Sequence, residues 1–516
     1  MFEFTLVDNF QQIQCINAPS QNDFIILKNY FRRRKNDSYM DPAVKFGYQD
    51  GFASFFNDVY LPIGLWGELH NYLYSRGYPT IIHGLKEFLN FDINRDEIIA
   101  SIYEIFDGTT IKPRWYQLES IYNIIKYRYS AQQLSTASGK TMISYATAAY
   151  LKKNGQIHSN KKFMMIVPKA GLVEQTYSKF TSVYDNGTVP LKCMRIGGGH
   201  KFNAKEYVDS DVVITTFQSL NNLNDSIFKT VGTINVDEAH TAKTDSIVRA
   251  IKLSTPLRYR FGFSGTLTDD MEMANYFENL KQLGPLAMVY DPKDLIEDGF
   301  APEVNIQSIT LDYGDRKEEE IISAYLNYRE NSKPPKDSLE ELQFWKDLYK
   351  VERDILLADE IRLQSILKFL KTLKGNTLIL FNDVKGEYGK KIHENLVQSG
   401  IYSQYIDGEV KTKSRDIYSD EMEKRNDMML VASFGTFSTG IDLCNIFNIV
   451  MVESFKSPIL IGQTIGRGLR FLEGKNVINV IEFIDSIFKH TVKQAKGREV
   501  IYKKQNYPIK RMTIKL

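Results

Sequence analysis

The stretch QQLSTASGKTMIS, residues 132 to 144, decides how the rest of the chain is read. It reaches Ser138-Gly139-Lys140-Thr141 and passes directly into MISYATAAYLKK, a helical pattern. In a phosphate loop, backbone N–H groups and the first helical turn surround the phosphates, Lys adds a point charge, and Ser/Thr binds magnesium. The strict pattern wants glycine at 134, where this chain has Leu134, and the preceding SAQQL is polar for a buried strand. Gly-Lys-Thr alone is a weak signal, so the other parts of a nucleotide engine have to stand in the right places.

They do. Asp237-Glu238-Ala239-His240 follows the apolar run TINV about 100 residues later. A carboxylate pair at a strand's C-terminal end can hold magnesium through Asp and orient the attacking water through Glu. Further on, Gln463-Thr464-Ile465-Gly466-Arg467-Gly468-Leu469-Arg470 sets two arginines three apart, expected on one helix face, where they could act as arginine fingers. Taken singly, these arginines are solvated helix charges. Taken with the other two clusters, they complete a site.

Short apolar runs recur through the chain: FMMIV (163 to 167), DVVITTF (211 to 217), TINVDE (233 to 238), YRFGFSG (259 to 265), TLILF (377 to 381), MMLVAS (428 to 433), NIVMVES (448 to 454) and VINVIEF (477 to 483). Helical segments separate them, which predicts α/β architecture with parallel sheets covered on both faces. The runs form two groups, joined by an acid-leaning segment in which Leu348, Val351 and Ile355 keep helical spacing. Residues 1 to 95 lack this rhythm. They are aromatic-rich and carry a basic knot, Phe31-Arg32-Arg33-Arg34-Lys35, whose plain reading is an exposed patch.

The net charge of +2 conceals an asymmetry: residues 485 to 516 hold nine Lys and Arg against two acidic residues, leaving 56 against 61 in the first 484. The basic end is where a polyanion could bind. Cys15, Cys193 and Cys444 are far apart and form no C-x-x-C pair, so neither disulfides nor a zinc site is expected. No apolar run reaches the roughly 18 residues of a membrane span, and MFEFTLVDNF has no basic segment leading into an apolar one. A cytosolic chain without membrane contact is expected.

In order, PRWYQ (113 to 117), STASGKT (135 to 141), VPKAGLVEQ (167 to 175), TTFQSL (215 to 220), DEAH (237 to 240), SGT (264 to 266), LILFND (378 to 383), FSTGIDL (437 to 443) and QTIGRGLR (463 to 470) resemble the motifs of the superfamily 2 helicases. The stretch 39 to 78, MRIGGG and the closing YPIKRMTIKL further resemble the recombination helicases of T-even bacteriophages, which act on branched DNA by reversing forks, migrating Holliday junctions and removing RNA from R-loops.

The resemblance implies two tandem RecA-like parallel-sheet domains preceded by a small α+β N-terminal domain. The expected division is 1–95 N-terminal with a DNA contact, 96–305 ATP-binding, 306–375 a helical hinge, 376–485 the second RecA-like domain and 486–516 a basic tail. It also implies roles for particular residues. Gln117 would read adenine; Ser138, Gly139, Lys140 and Thr141 would hold ATP; Thr141 and Asp237 would hold Mg2+, and Glu238 would activate water. His240, Ser264 and Thr266 would couple nucleotide state to movement; Gly440 and Asp442 would sense ribose or γ-phosphate; Gln463, Arg467 and Arg470 would complete catalysis. Pro168, Lys169, Thr215, Thr216, Thr436 and Thr439 would contact nucleic-acid phosphates, which positions a strand without reading its sequence. The expected partner is DNA, branched DNA above all, with RNA in R-loops, bound by a monomer. An RNA-directed helicase, a translocase that does not unwind, and a clamp without turnover are the rival readings.

Overall fold

The computed structural model describes residues 1–516 except 9–10, 37, 39–40, 46, 91, 159, 185–186, 255–256, 269–270, 332–337, 383–386, 411, 438–442, 455–457 and 471. The chain divides into two compact units, Met1–Asp291 and Pro292–Leu516.

The first unit begins with β1 (Phe2–Val7), β2 (Gln12–Asn17), β3 (Arg32–Arg34), β4 (Phe52–Ser54), β5 (Tyr60–Pro62) and β6 (Thr80–His83). Four of these make a mixed sheet in the order β5-β2-β1-β6, while β3 and β4 form a separate two-stranded ribbon. Seven further strands follow: β7 (Tyr129–Leu134), β8 (Lys162–Val167), β9 (Cys193–Ile196), β10 (Val212–Thr216), β11 (Val231–Asp237), β12 (Tyr259–Ser264) and β13 (Leu286–Tyr290). They form one sheet, β13-β7-β12-β11-β8-β10-β9, in which every neighbouring pair is parallel.

Strand β7 shows how a polar sequence can occupy a buried position. All six of its residues are buried. Gln132 donates to Ser120 O at 3.0 Å and accepts from Ser120 Oγ at 2.6 Å; Gln133 donates to Asp291 Oδ1 at 2.6 Å and accepts from the N–H of Thr268 at 2.7 Å. A buried amide whose donors and acceptors are matched escapes the penalty of a bare polar group.

The N-terminal region, expected as a separate domain over 1–95, shares a hydrophobic core with the seven-stranded sheet: Phe2, Phe4, Phe31 and Leu69 belong to the same buried cluster as Met164, Val236 and Phe277. Arg33 of the basic knot is half-buried, its guanidinium 4.3 Å from the Tyr30 ring centroid and 4.5 Å from that of Phe277, and so works as internal glue. Beside it, Glu68 accepts from Tyr30 at 3.2 Å and from Tyr276 at 3.0 Å. Both Tyr276 and Phe277 sit on the helix Ala274–Leu283, so this helix carries the docked region.

The second unit contains β14 (Glu303–Asp312), β15 (Thr377–Phe381), β16 (Ser403–Ile406), β17 (Met429–Ser433), β18 (Asn448–Met451), β19 (Val477–Asp485) and β20 (Ile509–Lys515). Their order is β16-β17-β15-β18-β19-β14-β20, again parallel throughout. Two expected boundaries therefore change. The hinge expected over 306–375 starts inside β14, a full sheet member, and its helices Ser338–Ala358 and Glu360–Leu370 belong to this unit. The basic segment 486–516 is not a loose tail: it folds as the helix Lys489–Lys504 and β20, which pairs with β14 from Ile306–Ile509 to Asp312–Lys515.

Two buried ion pairs fix this unit. Arg362 Nε donates to Asp485 Oδ1 at 2.7 Å, and its other nitrogens donate to Tyr388 Oη at 2.6 Å, Val452 O at 2.8 Å and Asp485 Oδ2 at 3.1 Å. Tyr313 donates to Asp485 Oδ1 at 2.7 Å. In the second pair, Glu482 accepts from Arg498 Nε at 2.5 Å, from Ser308 Oγ at 2.7 Å and from Tyr502 at 3.2 Å. No helix among the described residues is long and apolar enough to cross a membrane.

Candidate nucleotide and strand-binding sites

In a parallel sheet the strands' C-terminal ends collect on one edge, where ligands bind. On the first sheet this edge divides into two patches. Strands β7, β12 and β11 end in Leu134, Ser264 and Asp237, and β8, β10 and β9 end in Val167, Thr216 and Ile196.

The first patch holds the phosphate-loop candidates. The loop leaves β7 and enters the helix Lys140–Lys153 through Gly139, whose φ of 84° lies in the left-handed region. The conformation favours glycine, and a Cβ there would sit 2.4 Å from Gln117 Nε2 and displace the end of that side chain. Leu134, standing where the strict pattern has glycine, is the last residue of β7 and fully buried. Gln117 is itself buried. Its Nε2 donates to Ser138 O at 2.8 Å and its Oε1 accepts from the N–H of Arg114 at 2.8 Å, so its amide is bonded to the loop. Tyr116 donates to the same Ser138 carbonyl at 2.9 Å. Lys140 Nζ donates to the carbonyls of Leu134 and Ser135, 3.3 Å each, which keeps the ammonium inside the curl of the loop. Thr141 stands in the first helical turn.

The acidic partners lie close by in the same unit. Burial pushes the Asp237 carboxyl up to about 6, Glu238 adds to the rise, and Lys140 opposes it. With its folded pKa raised, this group favours the fold most when protonated, and that contribution is lost as pH rises through about 6. A cation would offset the cost of the ionised form. Among the described residues, Asp237 Oδ1, Ser135 Oγ and Ser138 Oγ are buried without a hydrogen-bond partner. Such atoms, with an oxygen-donor carboxylate and a hydroxyl at a helix start, suit a hard cation and the phosphates it accompanies. Glu238 adopts φ 57°, unusual for a residue with a side chain. His240 Nδ1 lies 3.0 Å from Ser264 Oγ and 3.4 Å from Glu238 Oε2, which joins the ends of β11 and β12. Ser264 Oγ also accepts from the N–H of Thr266 at 3.4 Å. The structure thus brings Gln117, Lys140, Thr141, Asp237, Glu238, His240, Ser264 and Thr266 onto one stretch of the sheet edge.

The second patch gathers the strand-contact candidates. Pro168 and Lys169 follow β8, with Lys169 exposed, and Thr215 and Thr216 close β10. Thr216 Oγ1 lies 2.9 Å from Ser219 Oγ. Between them sits the glycine turn of the MRIGGG stretch, Gly197-Gly198-Gly199, to which the motif reading assigned no contact, with φ 105°, 63° and 95°. A Cβ on Gly197 would come 2.8 Å from Ser219 Oγ, and one on Gly198 would come 3.1 Å from Ala170 O. The turn is therefore seated against both neighbouring loops, and its signal in the sequence was three successive glycines.

In the second unit, Thr436 is buried, and its Oγ1 accepts from Ser433 Oγ at 2.8 Å. Thr439, Gly440 and Asp442 lie outside the described residues. Gln463 and Arg467 lie in the helix Pro458–Gly468, their side chains outside what is described; Arg470 falls two residues past the helix end, so the expected shared helix face does not extend to it. Burial lowers Arg470 to about 10, with Glu423 opposing.

The second unit also holds Lys475, which motif reading missed. Its buried ammonium donates to Cys444 O at 2.6 Å and Gly468 O at 2.9 Å, joining the segment after FSTGIDL to the end of the helix Pro458–Gly468. Burial lowers it to about 8 and Arg470 adds to the fall, against Cys444 and Glu423. An unfolded lysine stays protonated to about 10.4, so the unfolded chain binds the extra proton between these values and this site's stabilising contribution rises with pH from about 8. Urea unfolding at pH 7.5 and 9.5 should show that increment in the wild type and its loss in Lys475→Met; equal increments would exclude the linkage.

The chain belongs to the superfamily 2 helicases and is an ATP-hydrolysing helicase. The family model described as the res subunit of type III restriction enzymes matches residues 110–269, and that of the helicase conserved C-terminal domain matches 361–472. The ATP-dependent DNA helicase UvsW of Enterobacteria phage T4 is 28% identical over 476 residues, an alignment covering 90% of this chain and 88% of that protein. Among solved structures, Mss116p bound to ssRNA and AMP-PNP superposes with a TM-score of 0.55 at 13% identity, covering 83% of this chain and 80% of that one. LlaBIII bound to DNA, an ATP-dependent type ISP restriction-modification enzyme, gives 0.55 at 13% identity, covering 79% and 32%. These two likenesses concern the fold.

Proposed function

We propose that this helicase is DNA-directed and acts on branched DNA, coupling ATP hydrolysis to remodelling of forks, four-way junctions and R-loops. The observation that carries the reading is the similarity to a DNA helicase over 90% of this chain, a length that takes in part of residues 1–95 as well as the motor motifs.

Lys140 would neutralise phosphate charge, Thr141 and Asp237 would hold Mg2+, and Glu238 would take the proton of the attacking water. The bound magnesium would polarise the transferred phosphoryl group. Gln463, Arg467 and Arg470 are assigned the γ-phosphate, and Gly440 and Asp442 its sensing. His240, bonded to Ser264, would pass the state of the Glu238 side to Ser264 and Thr266. On the second patch, Pro168, Lys169, Thr215 and Thr216 with the Gly197–Gly199 turn would hold strand phosphates, a mode suited to stepping along any sequence. Thr436 and Thr439 would do so from the second unit.

An ATP-dependent unwinding panel tests this with a fork, a four-way DNA junction, an R-loop and an RNA duplex as substrates. DNA should stimulate hydrolysis, and the fork and junction should be resolved faster than the RNA duplex. An RNA duplex unwound as fast as either would overturn the DNA assignment.

A further inference from the structure

We infer that the lysine-bearing face of the helix Lys489–Lys504 is a docking surface for the phosphate backbone of a duplex DNA arm. The inference rests on the DNA-directed reading and adds a contact surface that belongs to the second unit.

Lys489, Lys493, Lys496, Lys503 and Lys504 are all exposed. Their spacing of four, three, seven and one residues keeps them within one stripe of a helix. The opposite face is locked into the unit. Arg498 and Tyr502 bond Glu482 of β19, and Thr491 donates to the carbonyl of Asp485 at the end of that strand. The charges therefore stand on a fixed platform and not on a flexible extension. At about 1.5 Å of rise per residue, the stripe is about 22 Å long, enough to follow several phosphates of one strand, which recur about every 3.4 Å along the duplex axis.

The local charge balance favours a polyanion. Residues 486–516 hold nine Lys and Arg and one acidic residue, Glu499. That carboxylate is shared by Lys503 at 2.7 Å and Arg511 at 2.8 Å, and Arg511 lies on the neighbouring edge strand β20. Like charges at i, i+4 repel, and Lys489-Lys493 keeps that repulsion with no carboxylate between them on the stripe. A polyanion offsets it, because the phosphates attract both ammonium groups and each phosphate neutralised releases condensed counterions.

The surface can be tested without touching the fold, whereas deleting 486–516 would remove a sheet strand and the buried Arg498. The triple substitution Lys489→Gln, Lys493→Gln, Lys496→Gln in the full chain should reduce the slope of log affinity against log salt for a forked DNA by about 2 to 3. Single-strand-stimulated kcat should stay unchanged, and Lys493→Gln alone should reduce the slope by about 1. The matched control Lys368→Gln, Lys371→Gln, Lys374→Gln, also at exposed positions of the second unit, should leave it intact. An unchanged slope, an equal drop in the control, or an equal loss on single-stranded DNA would each overturn the assignment. Wild-type protein whose hydrolysis ignores DNA would instead sink the DNA-directed reading itself.

Discussion

Glu238→Gln is expected to slow ATP hydrolysis about 10³-fold, the scale of a lost general base, while ATP binding persists. Three features of the site support this. Glu238 directly follows the strand that ends in Asp237, and it holds φ 57°, a backbone state that costs a side-chain-bearing residue free energy and survives where surrounding structure imposes it. Its carboxylate is 3.4 Å from His240, so it is oriented from one side. Glutamine preserves size and backbone while removing the proton acceptor. Since the Glu238 charge helps raise the Asp237 pKa, removing it should ionise Asp237 more readily, and magnesium-nucleotide affinity should hold or tighten. Steady-state turnover and equilibrium binding of a fluorescent ATP separate the two effects. Turnover within tenfold of wild type would remove Glu238 from the chemistry.

Asp485→Ala should be the most damaging single change to the second unit, at about 3 to 5 kcal/mol, because it strands a buried guanidinium. Arg362 and Asp485 are each 1% exposed, and the carboxylate meets both Arg362 and Tyr313. Asp485 also holds Arg362 against Tyr388 and the end of β18, so its loss loosens contacts among β18, β19 and two helices. The double change Arg362→Met with Asp485→Leu should recover much of the loss, since the ion pair's desolvation disappears with its attraction. With two compact units the chain need not unfold in one step. Urea melts should therefore show the transition of the second unit moving while nucleotide binding by the first persists. A shift below 1 kcal/mol would contradict this account.

The eight apolar runs read from the sequence all became strands, because a central parallel strand is apolar on both faces and declares itself. Strands β14 and β20 did not. Glu303–Asp312 alternates buried and half-buried residues inside a stretch dominated by charged helices, and β20 has an exposed Lys-Arg-Met-Thr centre because it is a sheet edge. Leu134 and the two glutamines of β7 argued against a phosphate-loop strand, and only their partners Ser120, Thr268 and Asp291 reveal why the strand tolerates them. The candidate nucleotide residues stand out in the sequence because phosphate chemistry restricts residue type and spacing. Lys475 does not, since it acts through carbonyls of Cys444 and Gly468 that any sequence supplies. Arg33 read as a surface charge because its stacking partner Phe277 lies 244 positions away.

The pairing of β14 with β20 sets the schedule on which the protein can mature. Ile306 meets both its neighbours, Val480 and Ile509, late in synthesis, so during translation β14 waits with both flanks bare until β19 emerges and with one still bare until β20 follows, some two hundred residues on. A nascent chain stalled before that point carries an open strand flank able to recruit other chains. Ribosomes halted early on this message should therefore yield clumped polypeptide, and those that read through to the final strand should yield dispersed product.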